Sequence, residues 1–313
     1  MSIISLELIP NANEVVYYNY SLKKVQNLLV QVLYFYHLFN QHLSDMIKSS
    51  HNIELYTKDY LVKNAKANLL IVHGLHEHCE RYHHVAKSLN DIGVNVFTFD
   101  LRGHGRSGGP KNIIKDIDEY RQDVENVYRS IPKDKPFFIL GHSMGGLIVF
   151  HFLMFQERTD IAGVIFSGSA LEVGEDITPM TIKVVKVIGK ILPGLKTEKL
   201  NPENITRDKH EVELYKTDPL ITRHGAKAGL GLALINAIND AKEMFKDFHF
   251  PVLIMHGGDD KITNPKGSVA LYENCASQDK TLQLWESAYH EIFNEINKKQ
   301  VLTFMNHWIS ARI

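Results

Sequence analysis

Short apolar runs alternate with longer mixed segments along most of the chain after residue 50. Runs such as Leu69 to Val72 contain no polar residue, which is typical of strands covered on both faces of a parallel sheet. The strands predicted from these runs are Ile53 to Tyr56, Asn68 to His73, Val94 to Asp100, Phe137 to Gly141, Ile161 to Ser167, Val252 to His256 and Thr281 to Glu286.

The segments between the runs have the length and spacing of helices. They are Tyr82 to Ile92, Ile117 to Ser130, Met144 to Glu157, Pro265 to Cys275 and Ile296 to Ile309. Because strands and helices alternate, the pattern predicts a doubly wound α/β fold with a mostly parallel sheet between helical layers.

One stretch, from about Leu171 to Asp247, breaks this alternation. It is helical in pattern and is interrupted by prolines at 179, 193, 202 and 219. An insertion between the strand ending near Ser167 and the strand starting at Val252 would lie above the carboxyl ends of the strands, where open α/β sheets bind ligands. The stretch is therefore predicted to be a lid, within the same domain because no flexible linker separates it.

A second segment stands apart near the amino terminus. Residues 25 to 44 carry no charged side chain, and their apolar positions recur at steps of four and three, as on one stripe of a helix. Three interpretations stay open: a helix packed on the body of the protein, an interfacial membrane helix, or a spanning anchor. The many Asn and Gln residues off the stripe argue against the anchor. No cleavable signal peptide is expected.

Composition narrows the classes of function. The chain has 313 residues, 44% of them hydrophobic, so a sizeable core can form. A formal net charge of -1 gives no support for nucleic-acid binding, which needs clustered Lys and Arg. Cys79 and Cys275 form no paired framework, so a reducing, cytoplasmic location is expected.

The most informative chemical feature is the turn between the strand at Phe137 and the helix that follows it. It reads Gly141-His142-Ser143-Met144-Gly145-Gly146, the Gly-x-Ser-x-Gly arrangement of a nucleophile elbow. A side chain at Gly141 or Gly145 would collide with neighbouring backbone in so sharp a turn. Ser143 is therefore the candidate nucleophile.

A serine nucleophile needs a histidine base, which a carboxylate orients, and in this fold the order is Ser, acid, His. The loop after the strand at Val252 carries Asp259 and Asp260, and the pattern alone does not choose between them. Of the 17 histidines, only His290 follows this loop and lies just past a strand. His290 is the candidate base.

The reaction also needs donors for the tetrahedral oxyanion. The Met144 amide, directly after the nucleophile, is one candidate, and the Leu75 amide in the loop after the strand at Asn68 is the other. The histidines of this loop fit no familiar zinc spacing. We expect no metal and no cofactor.

These motifs, taken together and in order, resemble the monoglyceride lipase and lysophospholipase branch of the α/β-hydrolases. The resemblance runs from about Ile53 to the end of the chain. It rests on His73-Gly74-x-x-Glu77-His78-x-x-Arg81-Tyr82, Phe99-Asp100-x-Arg102-Gly103-His104-Gly105-x-Ser107, the elbow, Thr217-Asp218-Pro219-Leu220, Ser277-Gln278-Asp279-Lys280-Thr281-Leu282 and Ala288-Tyr289-His290. The first fifty residues have no counterpart in the family core.

The resemblance implies an α/β-hydrolase fold with a helical lid after the sixth core strand, built from residues 51–313 with an N-terminal helical extension at residues 1–50. It implies Asp260 as the acid. It also places Glu77, Arg81, His142 and Tyr215 at the polar end of the pocket, although Glu77 and Arg81 could equally form an ion pair that holds the oxyanion loop.

The implied reaction is hydrolysis of monoacylglycerols to fatty acid and glycerol. Lysophospholipase and acyltransferase activities on related single-chain lipids are the alternatives. The implied partner is a lipid ester, with peripheral membrane contact through residues 25–44 and the lid as a further expectation.

Overall fold

The computed structural model describes residues 46–174, 178–197, 200–223 and 225–313. The segment from residue 25 to 44 lies outside these residues, so its three interpretations stay predictions. Among the described residues, no helix is long and apolar enough to cross a membrane.

The described part of the chain contains a single eight-stranded sheet, in the order β1-β2-β4-β3-β5-β6-β7-β8. The strands are β1 (Met46–Lys48), β2 (Glu54–Tyr60), β3 (Ala67–Val72), β4 (Val94–Phe99), β5 (Phe137–His142), β6 (Ile161–Ser167), β7 (Val252–Gly257) and β8 (Lys280–Trp285). β2 pairs antiparallel with both β1 and β4, and all pairs among the strands from β3 to β8 are parallel. The predicted mostly parallel α/β sheet is confirmed.

The amino-terminal edge of the sheet differs from the prediction. β1 lies within the first fifty residues, which the sequence assigned to the extension, and β2 runs on to Tyr60. β1 has only three residues and is half-buried at most, so it leaves no apolar run in the sequence. Pairing with β2, rather than burial of its own side chains, makes it a strand.

Helices cover both faces of the sheet. They are α1 (His83–Asn90), α2 (Ile117–Ser130), α3 (Met144–Phe155), α4 (Pro179–Ile191), α5 (Lys209–Thr217), α6 (Ala228–Met244), α7 (Pro265–Asn274) and α8 (Lys298–Ser310). Within β3, Leu70 and Val72 join the core on the side of α2 and α3, whereas Leu69 and Ile71 join the core on the side of α1 and α8. This alternation buries both faces of the strand, which explains its unbroken apolar run.

The predicted lid contains α4, α5 and α6. Its loops bond to the loops that follow the parallel strands: the Thr222 amide donates to the His76 carbonyl at 3.0 Å, and the Glu291 amide donates to the Ile205 carbonyl at 2.7 Å. The sequence assigned all of 171–247 to the lid, whereas α6 also packs on α3 in the helical layer, with Leu230 and Ala241 fully buried. An apolar helix pattern does not distinguish a helix over the site from one against the sheet.

Candidate active site

The elbow is formed where β5 ends at His142 and α3 begins at Met144. Ser143, between them, has φ 55° and ψ -121°, a conformation that is strained for a residue with a side chain. A Cβ on Gly141 would lie 2.6 Å from the Gly145 carbonyl oxygen, and one on Gly145 would lie 2.2 Å from the Val72 carbonyl oxygen. The prediction that both positions need glycine is confirmed.

The loop after β7 contains the two candidate acids, Asp259 and Asp260, and the side chain of one of them points inward. The Asp260 side chain is fully buried, whereas Asp259 is exposed. Oδ1 of Asp260 accepts hydrogen bonds from the amides of Ile262 at 2.7 Å and Thr263 at 3.0 Å, and Oδ2 lies 2.7 Å from Nδ1 of His290. Of these two aspartates, Asp260 is the one whose side chain bonds to His290, and its role as the acid stays a prediction.

His290 lies in the loop after β8 and is almost completely buried. Because a carboxylate can only accept, Nδ1 carries the proton and donates it to Asp260, which leaves Nε2 as the edge that can take a proton. Burial opposes a charged imidazole, but the Asp260 carboxylate outweighs it and raises the pKa of His290 above its usual value. This orientation and this direction of shift are what a general base needs, and the role of His290 stays a prediction.

The pKa of Asp260 shifts in the matching direction. Burial works against its charge, but His290 and His256 outweigh burial and hold the pKa of the Asp260 carboxyl far below its usual range. The carboxylate is thus ionised at neutral pH. The ring of His142 lies 4.8 Å from that of His290, measured between ring centroids, and so links the base to the elbow.

The loop after β3 runs against the elbow. A Cβ on Gly74 would lie 3.1 Å from Cβ of Ser143. The Leu101 amide donates to Nε2 of His73 at 2.9 Å, so Nδ1 of His73 carries the proton and donates to the Gly74 carbonyl at 2.7 Å. The Gly74 amide in turn donates to Oε1 of Glu77 at 2.6 Å. Both backbone groups of Gly74 are therefore held in place, one residue before the candidate oxyanion donor Leu75.

The second candidate donor, Met144, is the first residue of α3. The amides of the first turn of a helix have no carbonyl partner within that helix, so they are suited to binding an anion. The oxyanion roles of Leu75 and Met144 stay predictions.

A buried ion cluster, formed by Glu77, Arg81 and Glu291, joins this loop to the loop of His290. Nη1 of Arg81 donates to Glu77 at 3.0 Å and to Glu291 at 2.6 Å, and Nη2 donates to the other oxygen of Glu291 at 2.7 Å. The guanidinium lies over the ring of Tyr215 at 4.9 Å. This geometry supports the structural alternative for Glu77 and Arg81, because both side chains already have charged partners.

The two carboxyls of this cluster are charged although buried. Burial opposes ionisation, but attraction to the Arg81 guanidinium leads the opposing contributions, and together they lower the pKa of Glu77 and lower that of Glu291 to about 2. With one guanidinium between two carboxylates, the cluster has a net negative charge.

His142 completes the polar surroundings of Ser143. Its Nδ1 lies 2.9 Å from the Ser167 carbonyl, to which it donates, and burial lowers its pKa to about 4, so it is neutral at pH 7. His142, Glu77 and Arg81 line a cavity of about 10 Å³, which is the space of roughly one water molecule. The structure therefore gathers three of the four head-group candidates around one cavity, with Tyr215 stacked behind Arg81.

Beyond Arg81 a larger open cleft of about 780 Å³ lies between α1, α5 and the start of α8. It shares Arg81, His84 and Asn294 with the small cavity. Other charged side chains that line the cleft form ion pairs, such as Lys298 with Glu211 at 2.6 Å.

Three polar residues near the candidate triad were missed in the sequence: Glu291, His256 and Thr263. Glu291 directly follows His290, and the other two flank Asp260 in sequence. Adjacency to the triad residues was the only available signal, and it does not show which way a side chain points.

Comparisons with known proteins give matches over most of the chain. The family model described as serine aminopeptidase, S33 (Hydrolase_4) matches residues 63–297. The chain is 34% identical to a monoacylglycerol lipase of Mycolicibacterium smegmatis over 248 residues, which cover 78% of this chain and 88% of the relative. It is 35% identical to mouse (Mus musculus) monoglyceride lipase over 255 residues, 79% of this chain and 84% of the relative. The crystal structure of Paleococcus ferrophilus monoacylglycerol lipase matches with a TM-score of 0.76 and 29% identity, and covers 83% of this chain and 100% of that one.

Proposed function

Since the chain belongs to the monoglyceride lipase branch of the α/β-hydrolase superfamily and is a carboxylic ester hydrolase, we propose that it hydrolyses monoacylglycerols to fatty acid and glycerol through Ser143, His290 and Asp260. The observation that carries the proposal is the bond of 2.7 Å between buried Asp260 and Nδ1 of His290, whose ring lies 4.8 Å from that of His142, the residue before the strained Ser143. Asp260 and His290 supply the oriented base that a serine nucleophile needs.

The reaction proceeds in two acyl-transfer steps. Oγ of Ser143 attacks the ester carbonyl carbon while Nε2 of His290 takes the hydroxyl proton, and the Leu75 and Met144 amides bind the oxyanion. The C–O bond to glycerol then breaks, and His290 returns its proton to the leaving oxygen. Water, deprotonated by His290, attacks the acyl carbon, the C–Oγ bond to Ser143 breaks, and His290 gives its proton to Oγ as the fatty acid leaves. Asp260 keeps the imidazole oriented throughout.

The charge near Ser143 favours a neutral head group. Glu77 and Glu291 outnumber Arg81, and His142 is neutral, so a phosphate placed here would meet net negative charge and no unpaired cation from this cluster. Glycerol carries no charge and can donate hydrogen bonds to carboxylates and to the free edge of a neutral imidazole. Monoacylglycerol therefore suits the site better than a lysophospholipid.

A matched substrate panel tests this proposal. We expect kcat/KM for a monoacylglycerol to exceed that for lysophosphatidylcholine with the same acyl chain by about tenfold or more, since one unfavourable charge contact of roughly 1.4 kcal/mol gives that factor. Fatty acid and glycerol release would be followed in the presence and absence of a competing alcohol. Preference for the lysophospholipid would contradict the head-group argument, and acyl transfer to the alcohol in place of hydrolysis would contradict the reaction.

We further propose that the lid contacts the membrane that holds the substrate. α4 and the loop after it expose a group of large apolar side chains: Met180, Val184, Val187, Ile191, Leu192 and Leu195. Lysines at 183, 186, 190 and 196 lie among them. An apolar patch bordered by lysines is the surface expected of a helix that lies in an anionic lipid interface.

Replacing Val187 and Ile191 together with glutamate is expected to weaken binding to anionic liposomes by about tenfold or more, because it removes apolar area and adds two negative charges. Hydrolysis of a short soluble ester is expected to stay unchanged, since both side chains are exposed, at 56% and 71%. Co-sedimentation with liposomes measures the first effect. The matched control replaces Lys209 and Glu213, exposed residues of α5, with alanine. Equal binding by wild type and the glutamate variant would rule out this docking surface.

A further inference from the structure

The candidate acid is bonded to a second histidine besides His290. His256 is the penultimate residue of β7 and is fully buried. Its Nε2 lies 3.0 Å from Oδ2 of Asp260, the same oxygen that bonds His290, and its Nδ1 lies 2.7 Å from Oγ of Ser268. Ser268, in α7, is also fully buried. A continuous set of side-chain hydrogen bonds thus runs from Ser268 through His256 and Asp260 to His290.

The chemistry of these groups fixes the direction of each bond. An ionised carboxylate can only accept, so Nε2 of His256 carries a proton and donates it to Asp260. In the neutral form of His256, Nδ1 is then unprotonated and accepts a hydrogen bond from the Ser268 hydroxyl. Ser268 therefore selects the tautomer of His256 that can donate to the acid.

Thr263 supplies a weaker support. Its hydroxyl has one proton and lies near two acceptors, the Gly168 carbonyl at 3.0 Å and Oδ2 of Asp260 at 2.9 Å, so the proton is shared between them. Its oxygen also lies 3.2 Å from Nε2 of His256 and 3.2 Å from Nδ1 of His290. Oδ1 is already bonded to two backbone amides. His256 thus bonds Oδ2 from the sheet side, beside Thr263, while His290 bonds it from the side of the elbow.

We propose that His256 is a positioning residue, which holds the Asp260 carboxylate in the orientation that His290 requires by donating a second imidazole hydrogen bond to Oδ2. This inference rests on the proposed triad. Without the bond, the carboxylate keeps its contact with His290 but is less firmly oriented, so the histidine loses its alignment with Ser143. The bond also shares the negative charge of Asp260 between two imidazoles, so its loss leaves more of that charge facing His290.

The shared charge makes the pH profile a diagnostic measurement. The groups that face His290 are Asp260 from the loop after β7, His142 from β5, Glu77 from the loop after β3, and the neighbouring Glu291. The pKa of His290 is raised above its ordinary value of 6.5, so wild-type kcat/KM should fall as the pH drops through a value above 6.5. Removing the His256 donor should raise this pKa further and move the acid limb to higher pH.

The experiment compares three variants with a soluble ester across the pH range. For His256→Leu we expect kcat to fall by roughly 10- to 100-fold with KM unchanged, the factor expected for one lost hydrogen bond to a charged group, together with the upward shift of the acid limb. His256→Gln is expected to recover most of kcat and the wild-type acid limb, because its amide nitrogen can take the place of Nε2. His151→Leu, which removes a bond of 2.9 Å to the Ala237 carbonyl, is the control and should leave both unchanged.

A structural role alone would make Leu and Gln equivalent or leave the acid limb in place, and either result overturns the proposal. If His256→Leu does not fold, the proposal can be tested by proton NMR of the histidine ring N–H groups in the wild type and in Asp260→Asn. Two downfield resonances that both move in Asp260→Asn support the proposal, whereas a single responding resonance overturns it. Full activity of Ser143→Ala would instead defeat the proposed function itself, so the two failures are distinguishable.

Discussion

Ser143→Ala is expected to lower kcat for ester hydrolysis by about 10⁵- to 10⁶-fold, since loss of a serine nucleophile removes the covalent pathway and leaves only the residual effect of binding and the oxyanion hole. The alanine needs no new space at the elbow. The free energy of unfolding should therefore stay close to that of wild type. Initial rates with a monoacylglycerol and with a soluble ester measure the effect.

Covalent labelling by a fluorophosphonate gives a second measurement on the same variant. The wild-type protein should take one label, on Ser143, and the variant should take none. Ser130→Ala is the matched control, because Ser130 is exposed at the end of α2 and its hydroxyl donates to the Val127 carbonyl at 2.7 Å. Labelling that persists in Ser143→Ala would assign the nucleophile elsewhere.

Arg81→Met is expected to reduce the free energy of unfolding at pH 7 by about 3–5 kcal/mol, because removing one partner of a buried ion pair leaves charge without compensation. Here two buried carboxylates, Glu77 and Glu291, would face each other without the guanidinium that lies between them. Equilibrium unfolding in urea measures the loss. The same change should also reduce kcat. Glu77 accepts a hydrogen bond from the Gly74 amide, so a displaced Glu77 would leave the loop of the candidate oxyanion donor Leu75 less firmly held.

The pH dependence of this loss follows from the direction of the pKa shifts. In wild type the pKa values of Glu77 and Glu291 are lowered, so their contribution is present above the unfolded values near 4.5 and is lost as the pH falls toward the folded values. Without Arg81, burial raises both pKa values, and protonation relieves the variant as the pH falls. The difference between the two proteins should therefore shrink between pH 7 and pH 5.

Arg81→Lys is the control, since it keeps the charge but not the fork that bonds both carboxylates, and it should lose less stability than Arg81→Met. The alternative role of Arg81, contact with the glycerol head group, predicts a different result. It predicts a higher KM for monoacylglycerol with stability within about 1 kcal/mol of wild type, the range of an exposed pair. That outcome would contradict the structural role.

Much of the architecture could be predicted from the sequence. Each predicted strand has an observed counterpart, and the helix that follows the elbow begins at Met144, as predicted. The glycines at 141 and 145 signalled the elbow correctly, because the need for a missing side chain is a property of the turn itself. These features depend on residues within a few positions of one another, and local spacing records them directly.

The contacts between side chains in the site were harder to predict from the sequence. Asp259 and Asp260 are equivalent in the sequence pattern, and only the path of the loop buries one and exposes the other. The bond between Arg81 and Glu291 joins residues 210 positions apart. No period or motif records such a contact.

The sequence by itself determined a parallel α/β sheet, a serine on a strained turn and a histidine after the last strand, because hydrophobic periodicity and turn chemistry are local. The tertiary structure decided which carboxylate bonds to His290, that Arg81 lies between two glutamates, and that His256 bonds to Asp260 from the side of the sheet. The physical reason is the order of the strands: β3 lies beside β5, and β7 beside β8. That order brings the loops at their carboxyl ends together, and the charges and hydrogen bonds of the site arise only from this proximity.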